Sequence, residues 1–358
     1  MKLTTQTDRI AATLGDRTAI RIIKEAGYDS LDCTLYNMQN DASPFCGDGY
    51  REYTEDLKKY ADSLGIGFDQ GHAPFPVCDA HNPGYTERIA PRVIRSIEIS
   101  GILGVKYLVV HPTAPTQMPD GADLREFNLS YYRSLLPYAK EYGVTICLEN
   151  MWGWDARRGC IIPSVCSYAR DLADYVDALD SGYFAVCLDF GHSGLVGEET
   201  ADAIITLGHD RLKAVHVHDN GYRGDDHMLP FYGKMDWDAI TSALGKINYS
   251  GSLTFEADNF IGRLPPDETL YLAAEKYMAA VGRYLIKKNR ALNQKQPFPK
   301  TGRVASVKRT EINHQSKINS VQKFLKILKK LLERSFLSGS GQRPRLSYSL
   351  TVLTASMP

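Results

Sequence analysis

Short apolar runs alternate with amphipathic segments eight times along the first 288 residues of the chain. Val, Leu, Ile and Phe are frequent in most of the runs, which predicts buried β-strands, and the segments between them carry apolar residues at helical spacing. Several predicted helices end at a glycine just before the next strand, the usual place of a left-handed cap. The predicted strands are Lys2–Thr7, Ser30–Tyr36, Gly65–His72, Lys106–Pro112, Val144–Asn150, Phe184–His192, Leu212–Asp219 and Gly251–Asp258.

Eight consecutive β–α units, with connections long enough for parallel strands, predict an α/β fold of the (β/α)8 type, a TIM barrel, over residues 1–288. The eighth predicted helix, Glu268–Lys288, closes this barrel. A doubly wound parallel sheet is the alternative. Such a sheet normally has a glycine-rich phosphate-binding turn after its first strand, and the sequence has none there.

The charge distribution separates the end of the chain from the barrel. The net charge of the whole chain is zero, but the residues from Lys287 onward include 16 Lys+Arg and 2 Asp+Glu, so the preceding part has a net charge of −14. Residues 289–358 are predicted to form a basic tail that is disordered or partly helical. Within the tail, residues 320–337 (Ser320–Leu337) have the pattern of a basic amphipathic helix, which would contact a membrane surface or a partner, or have no fixed role.

The rest of the composition is that of a soluble globular protein. No apolar run is long enough to cross a bilayer, and the N-terminal residues lack the apolar core of a signal peptide. Seven cysteines occur without a CxxC pair, and Cys147 and Cys187 lie within predicted strands. We therefore expect a cytoplasmic protein with reduced, mostly buried thiols.

Metal-binding side chains are concentrated at the ends of the predicted strands. Because the C-terminal ends of barrel strands surround one mouth, these side chains are expected to line one pocket. Carboxylates and imidazoles at this density predict a cation that compensates for their desolvation, either one ion with polar neighbours or up to three ions. The nine candidate ligands are His72, His111, Glu149, Asp189, His192, His216, Asp225, His227 and Glu256.

The motifs at these strand ends resemble those of the xylose isomerase-like TIM-barrel superfamily, which includes sugar and sugar phosphate isomerases and epimerases as well as endonuclease IV. The resemblance covers about residues 1–288 and none of the tail. The motifs are HAP (His72–Pro74), VVHP (Val109–Pro112), LEN (Leu148–Asn150), LDFGH (Leu188–His192), HVHDN (His216–Asn220), DDH (Asp225–His227) and FEAD (Phe255–Asp258).

The resemblance implies a four-ligand centre of Glu149, Asp189, His216 and Glu256 that holds a divalent ion such as Mn, Mg or Zn. It also implies that Glu149 and Glu256 flank the carbon that loses its proton, and that His192 of the DxxH motif assists catalysis or binds metal. This chemistry can also be argued without the resemblance, because a cation polarises a carbonyl and stabilises the enediolate while carboxylates transfer the proton.

Four further residues are candidate substrate contacts. His216 is preferred over His218 as a ligand because its HxxD spacing to Asp219 fits the family, so His218 would face the substrate. Trp152 and Trp154 follow Glu149, and their flat faces suit the C–H face of a sugar or pack the loop onto the barrel. Arg223 occupies roughly the place of a substrate-contacting arginine in the epimerases. It would bind a hydroxyl or phosphate group, or be an exposed loop residue.

The predicted function is that of a metal-dependent isomerase or epimerase acting on a sugar, sugar phosphate or related polyol derivative by proton transfer. His72, His111, Asp225 and His227 match the extra ligands of the trinuclear zinc endonuclease, so a phosphodiesterase of that kind is the first alternative. The barrel's net charge of −14 argues against a nucleic-acid partner, since a DNA-binding face is basic. A non-catalytic sugar- or metal-binding barrel is the second alternative, and a homo-oligomer is among the assembly states left open.

Overall fold

The computed structural model describes residues 1–295, without the side chains of Asp258 and of residues 290–295. The predicted helix at Ser320–Leu337 and almost all of the predicted tail lie outside the described residues. The strands are β1 (Lys2–Gln6), β2 (Ser30–Thr34), β3 (Gly67–His72), β4 (Tyr107–Val109), β5 (Thr145–Glu149), β6 (Trp152–Asp155), β7 (Cys160–Pro163), β8 (Phe184–Asp189), β9 (Leu212–Val217) and β10 (Ser252–Phe255).

Helices follow or connect these strands. They are α1 (Asp8–Leu14), α2 (Asp16–Ala26), α3 (Tyr50–Ser63), α4 (Pro83–Leu103), α5 (Leu124–Tyr142), α6 (Ala169–Leu179), α7 (Phe190–Leu195), α8 (Thr200–Arg211), α9 (Trp237–Lys246), α10 (Asp258–Ile261) and α11 (Glu268–Lys295). Among the described residues, no helix has both the length and the apolar character needed to cross a membrane.

Eight parallel strands form a closed barrel in the order β1-β10-β9-β8-β5-β4-β3-β2. Strand β1 closes it by pairing with β2 on one side and with β10 on the other. The predicted TIM barrel is therefore confirmed, and the doubly wound sheet is excluded because such a sheet has open edges. The glycine caps are also confirmed at Gly27, Gly104 and Gly143, whose φ angles of 95°, 82° and 68° are left-handed.

The apolar core lies mainly between the strands and the surrounding helices, where residues such as Leu3, Leu31 and Leu188 are fully buried. A smaller apolar layer fills the inside of the barrel on one side. It consists of Val109, Cys147, Ala185, Cys187 and Ala214. Five of the seven cysteines are buried and all are free thiols, as the sequence predicted.

Polar side chains fill the other side of the barrel interior. The amide of Gln70 donates to Asp32 and accepts from the hydroxyl of Thr254, both at 3.0 Å. Burial raises the pKa of Asp32 to about 6. The barrel floor beneath the strand ends is therefore a hydrogen-bonded polar layer rather than a purely apolar one.

Three of the differences from the sequence-based predictions concern the end of β8, the end of the last helix and an additional hairpin. Strand β8 ends at Asp189 rather than His192, because the Asp189 carboxylate accepts a bond of 2.7 Å from the His192 backbone N–H and begins α7. Helix α11 continues past the predicted Lys288 to Lys295, and the buried Asn289 amide donates to the carbonyl of Thr241 at 2.9 Å. The antiparallel hairpin of β6 and β7 was not predicted at all.

Candidate active site

Strand periodicity places the predicted ligands at the mouth of the barrel. Side chains alternate between the two faces of a strand, so Glu149 and Asp189 point to the same side as Cys147 and Cys187, which lie inside the barrel. His216 stands in the same relation to Ala214 on β9. Because these residues end their strands or lie near the ends, they form the top layer of the barrel interior.

Glu149, Asp189, His216 and Glu256 converge on one point. The Nδ1 atom of His216 lies 2.7 Å from an oxygen of Glu149, 2.7 Å from an oxygen of Glu256 and 4.0 Å from an oxygen of Asp189. One ligand atom from each residue lies within 4.8 Å of all the others, and all four side chains are buried. Three buried carboxylates around a single imidazole nitrogen make a donor set suited to a divalent cation.

The charges of the imidazoles control the ionisation of the two glutamates. Burial opposes ionisation of Glu149, but the charge of His216 and the close contacts of His216 and His111 outweigh it and hold its pKa well below the ordinary value. Burial likewise opposes ionisation of Glu256, and His216 and His227 lower the pKa of that carboxyl. Both carboxylates are therefore in the ionised form that binds a metal or accepts a proton.

His72 and His111 extend this centre on the side of Glu149. The Nε2 atom of His111 lies 2.9 Å from an oxygen of Glu149, and that of His72 lies 3.4 Å from the same oxygen. The Nδ1–H of His72 faces the carbonyl of Ala73 at 2.8 Å, which directs its Nε2 atom toward the centre. Burial lowers the pKa of His111, which favours the neutral imidazole that binds metals.

A second cluster surrounds Asp225 in the loop after β9. One oxygen of Asp225 lies 3.3 Å from Nε2 of His192, 3.1 Å from Nε2 of His227 and 3.2 Å from the indole nitrogen of Trp152. Its other oxygen is buried and has no hydrogen-bond partner among the described residues. His192, His218, Asp225 and His227 together satisfy the spacing of a metal-binding group. The structure thus brings all nine predicted ligands into two adjoining clusters.

His218 lies between the two clusters. Its Nε2 atom is 3.0 Å from both oxygens of Asp189, and its ring stacks on that of His227 at 4.1 Å with 7° between the planes. A Cβ atom at Gly191 would lie 2.0 Å from the His218 ring, so glycine is required there. The predicted role of His218 as a substrate contact stays a prediction, and its observed contact is with a candidate ligand.

Asp219, the second residue of the HxxD spacing, is not part of either cluster. It accepts hydrogen bonds from the indole of Trp237 at 2.8 Å and from the backbone N–H groups of Phe231 and Met235 at 2.9 and 3.2 Å. These bonds fold the loop after β9 back against the barrel. Asp219 therefore holds the loop that carries Asp225 and His227.

The other predicted substrate contacts lie above the mouth. Trp152 and Trp154 belong to the hairpin of β6 and β7, which directly follows the strand ending in Glu149. Trp152 is anchored to Asp225, whereas Trp154 is 54% exposed. Arg223 is exposed and forms no hydrogen bond or ion pair within residues 1–295. The structure therefore places Trp152 at the second cluster and leaves Trp154 and Arg223 facing solvent.

Two residues that support the site were missed in the sequence. The Tyr36 hydroxyl donates to Glu256 at 2.9 Å and accepts from the Gln6 amide at 3.1 Å, which fixes the direction of that carboxylate. The Asn150 side chain donates to the backbone carbonyl of Asp189 and accepts from its N–H. The backbone carbonyl of Asn150 accepts from Nδ1 of His192 at 2.8 Å. Tyr36 and Asn150 are the last residues of predicted strands, and that position is the feature of the sequence that could have marked them as site residues.

Comparison with known proteins gives the same fold. An uncharacterized protein, y4fM of Sinorhizobium fredii, is 44% identical over 89 residues, which are 25% of this chain and 27% of that protein. The D-psicose 3-epimerase of Enterocloster bolteae is 29% identical over 124 residues, 35% of this chain and 37% of the enzyme. The chain thus matches 27% and 37% of the length of these two relatives.

Among solved structures, D-psicose 3-epimerase with D-tagatose from Clostridium cellulolyticum H10 aligns over 80% of this chain and 99% of that one. The TM-score is 0.61 and the identity is 20%, a likeness of fold. The sequence profile of the family described as "Xylose isomerase-like TIM barrel" matches residues 20–280. The chain belongs to the xylose isomerase-like TIM barrel family.

Proposed function

We propose that the protein is a divalent-metal-dependent isomerase or epimerase that moves a proton next to the carbonyl group of a sugar, sugar phosphate or related polyol derivative. The observation that carries this proposal is the pair of contacts at His216. Glu149, at the end of β5, and Glu256, just after β10, each place a carboxylate oxygen 2.7 Å from the same Nδ1 atom. Two ionised carboxylates thus flank one buried point.

The donor atoms support a metal at that point. One imidazole nitrogen and three carboxylate oxygens suit Mn²⁺, Mg²⁺ or Zn²⁺. The second oxygen of Glu149 is buried, lies near two imidazoles and makes no hydrogen bond of good geometry within residues 1–295. A bound divalent cation would polarise the substrate carbonyl and stabilise the negative charge that develops when the adjacent C–H bond breaks.

The two glutamates would perform the proton transfer. They approach the pocket from strands separated by β8 and β9, so a substrate carbon between them would have one carboxylate on each side. Removal of the proton by one carboxylate, and delivery of a different proton by the other after it has taken one up from solvent, inverts the configuration at that carbon. Tyr36 donates a hydrogen bond to Glu256, and His216 contacts an oxygen of each glutamate, which keeps both groups aimed at the same atom.

The second cluster bears on how many ions bind. His192, His218, Asp225 and His227 would hold a second ion, and His72 and His111 with Glu149 would hold a third. If fewer ions bind, His192 and His227 remain as polar groups beside the substrate. In either case Asp225, bonded to Trp152, links this cluster to the hairpin that overhangs the mouth.

Two observations support a carbohydrate substrate. Two of the proteins compared above are D-psicose 3-epimerases by name, and Trp152 lies at the mouth where an aromatic face suits the C–H face of a sugar. The full set of nine ligands favours one other function, metal-assisted cleavage of a phosphodiester. The acidic barrel lacks the positive charge with which a nucleic-acid cleft compensates for phosphates, so we favour the carbohydrate.

The test is a metal analysis of the purified protein followed by a substrate screen. Ketoses, their phosphates and inositol derivatives would be offered with Mn²⁺, Mg²⁺ or Zn²⁺, with abasic-site DNA as the competing substrate. We expect a change of configuration in at least one polyol. Cleavage of DNA without turnover of any sugar would identify a phosphodiesterase instead. Bound metal without either activity would identify a non-catalytic binding barrel.

A further inference from the structure

A cavity of about 340 Å³ lies at the end of the barrel opposite the metal-binding clusters. It is lined by the residues with which strands begin: Lys2 opens β1, Leu212 and Lys213 open β9, and Lys106 directly precedes β4. Its volume is within the range of about 300–1,000 Å³ that small-molecule sites typically have. Nothing in the proposed reaction uses this end of the molecule.

The lining is basic although the barrel as a whole is acidic. Three lysines and one carboxylate line the cavity, in a part of the chain whose net charge is −14. The carboxylate of Asp69 is already neutralised, because Lys2 lies 2.8 Å from one of its oxygens and the Ser252 hydroxyl donates to the other. The remaining positive charge belongs to Lys106 and Lys213.

Neither of these two ammonium groups forms an ion pair with another described side chain. Among the described side chains, no carboxylate lies within 4.0 Å of the Nζ atom of Lys106 or Lys213. The Nζ atom of Lys213 donates to the carbonyl of His209 at 2.8 Å, and that of Lys106 lies 4.9 Å from the centre of the Tyr107 ring. Both groups therefore retain unused N–H donors at the cavity.

The two lysines line the same cavity and carry the same charge. Burial lowers the pKa of Lys213, Asp210 raises it in part, and the positive charge of Lys106 lowers it again. A dianion between the two ammonium groups would remove this repulsion and offset the desolvation of Lys213. The Tyr107 ring and Leu212 supply an apolar wall beside the charged groups, which suits the carbon skeleton of a small organic molecule.

We propose that this cavity is a binding site for a small phosphate-bearing metabolite, separate from the active site, in which Lys106 and Lys213 bind the phosphate group. Phosphate offers three oxygens to the ammonium donors, and lysine binds it as a point charge. A ligand there would bridge β4 and β9, and so would contact two strands whose other ends carry site residues.

The test is lysine footprinting of the full-length protein, because the basic end of the chain would obscure a bulk binding signal. Lysines would be acetylated at low reagent dose, with and without inorganic phosphate or glucose 6-phosphate, and read by peptide mass spectrometry. Chloride would match the ionic strength, and glucose would be the neutral control. Lys58, which is paired with Asp62 on α3, is the internal reference.

At a probe concentration about ten times Kd, Lys106 and Lys213 are expected to react about tenfold more slowly, because only the ligand-free fraction is labelled. If glucose 6-phosphate protects the lysines at a lower concentration than inorganic phosphate does, the organic part of the ligand is also bound. If the two probes protect equally, the site binds the phosphate group alone. Both results support the proposal. The proposal is overturned if neither probe slows the reaction of Lys106 and Lys213 more than it slows the reaction of Lys58.

A variant gives an independent check. Lys106 is exposed, so Lys106→Met is expected to fold normally and to weaken the protection of Lys213 by at least about tenfold in Kd, as expected for loss of a charge-assisted contact. Lys58→Met is the matched control and should leave that protection unchanged. Unchanged protection of Lys213 in the Lys106→Met protein would also overturn the proposal.

Discussion

His218 and Asp189 form a symmetric contact in which Nε2 of the imidazole lies 3.0 Å from each oxygen of the carboxylate. The other ring nitrogen of His218 is buried and has no hydrogen-bond partner among the described residues. The tautomer with the proton on Nε2 therefore satisfies this pair best. His218 thus orients the carboxylate of Asp189, a candidate metal ligand. The absence of a side chain at Gly191 makes room for the His218 ring.

Replacement of His218 by Asn should weaken metal binding without unfolding the protein. Loss of a partner that orients a metal ligand typically costs about 10- to 100-fold in affinity. The affinity can be measured by titration against a competing chelator. His81→Asn, at an exposed position outside the clusters, is the control. An affinity equal to that of the wild-type protein would show that Asp189 needs no such partner.

Asp189→Asn should have a larger effect than His218→Asn. The amide can still accept the bond from the His192 N–H that begins α7, so the fold is kept while one negative oxygen donor is lost. We expect bound metal to fall below one equivalent after dialysis, measured by mass spectrometry of the metal, and the same for His216→Ala. Asp238→Asn, on α9, should keep its metal. Full metal content in both site variants would mean that the ion binds elsewhere.

Glu149→Gln and Glu256→Gln should reduce turnover far more than substrate binding. The amide keeps the shape of the side chain and an oxygen donor, but it cannot accept the substrate proton. General acid–base catalysis typically contributes about 10²- to 10⁴-fold, so kcat should fall by that factor while KM changes modestly. In deuterated water the wild-type product should carry deuterium at the reacting carbon. Full activity of both variants together with an unlabelled product would rule out proton transfer by this pair.

The contact of 3.1 Å between His227 and Asp225 should make the metal-free protein less stable at high pH. Burial opposes protonation of His227, but the bond to Asp225 and the charge of Glu256 outweigh it and raise its pKa to about 10. An unfolded histidine titrates near 6.5, so the stabilisation is complete below about pH 6.5 and is lost as the pH rises through about 10.

This pH dependence can be measured in the presence of a chelator. The Tm of the wild-type protein should fall more steeply between about pH 7 and 10 than the Tm of His227→Asn, which lacks the titrating group. His81→Asn should follow the wild-type curve, because that residue is exposed and outside the clusters. Parallel curves for the wild-type and His227→Asn proteins would refute the assigned shift.

Truncation after Lys295 should preserve stability and turnover, whereas truncation after Lys288 should lower Tm. The described part of α11 extends to Lys295, and the second truncation removes the buried Asn289 and its bond to Thr241. Loss of a buried hydrogen bond costs about 1–3 kcal/mol. Thermal unfolding of the two truncated proteins would be compared, and equal Tm values would show that the end of α11 contributes nothing.

The barrel and most of its candidate site could be predicted because strand ends carry a local signal. Glu149, Asp189 and Glu256 each follow an apolar run, and parallel strands in a barrel bring such positions together wherever the runs lie in the chain. The hairpin of Trp152–Asp155 and Cys160–Pro163 gave no such signal, because its strands are short, partly exposed and separated by a charged turn.

The parts that could not be predicted depend on partners distant in sequence. The HxxD spacing favoured His216 as a ligand, but it did not indicate that the Asp219 carboxylate of that motif is bound by Trp237 and two backbone N–H groups. Tyr36 reaches Glu256 across 220 positions of the chain, and its place at the end of a predicted strand does not reveal which residue it contacts. Such pairings follow from barrel closure and not from any local pattern.

Barrel closure also has a consequence for synthesis of the protein on the ribosome. Strand β1 is made first, but one of its edges stays unpaired until β10 at Ser252–Phe255 has left the exit tunnel. An unpaired strand edge in a nascent chain promotes wrong association, so most of the translation time is a period in which a chaperone would be useful. Glu256 follows β10 directly, so the last of the four converging ligands appears with the strand that closes the barrel, and no shorter nascent chain can assemble the complete centre.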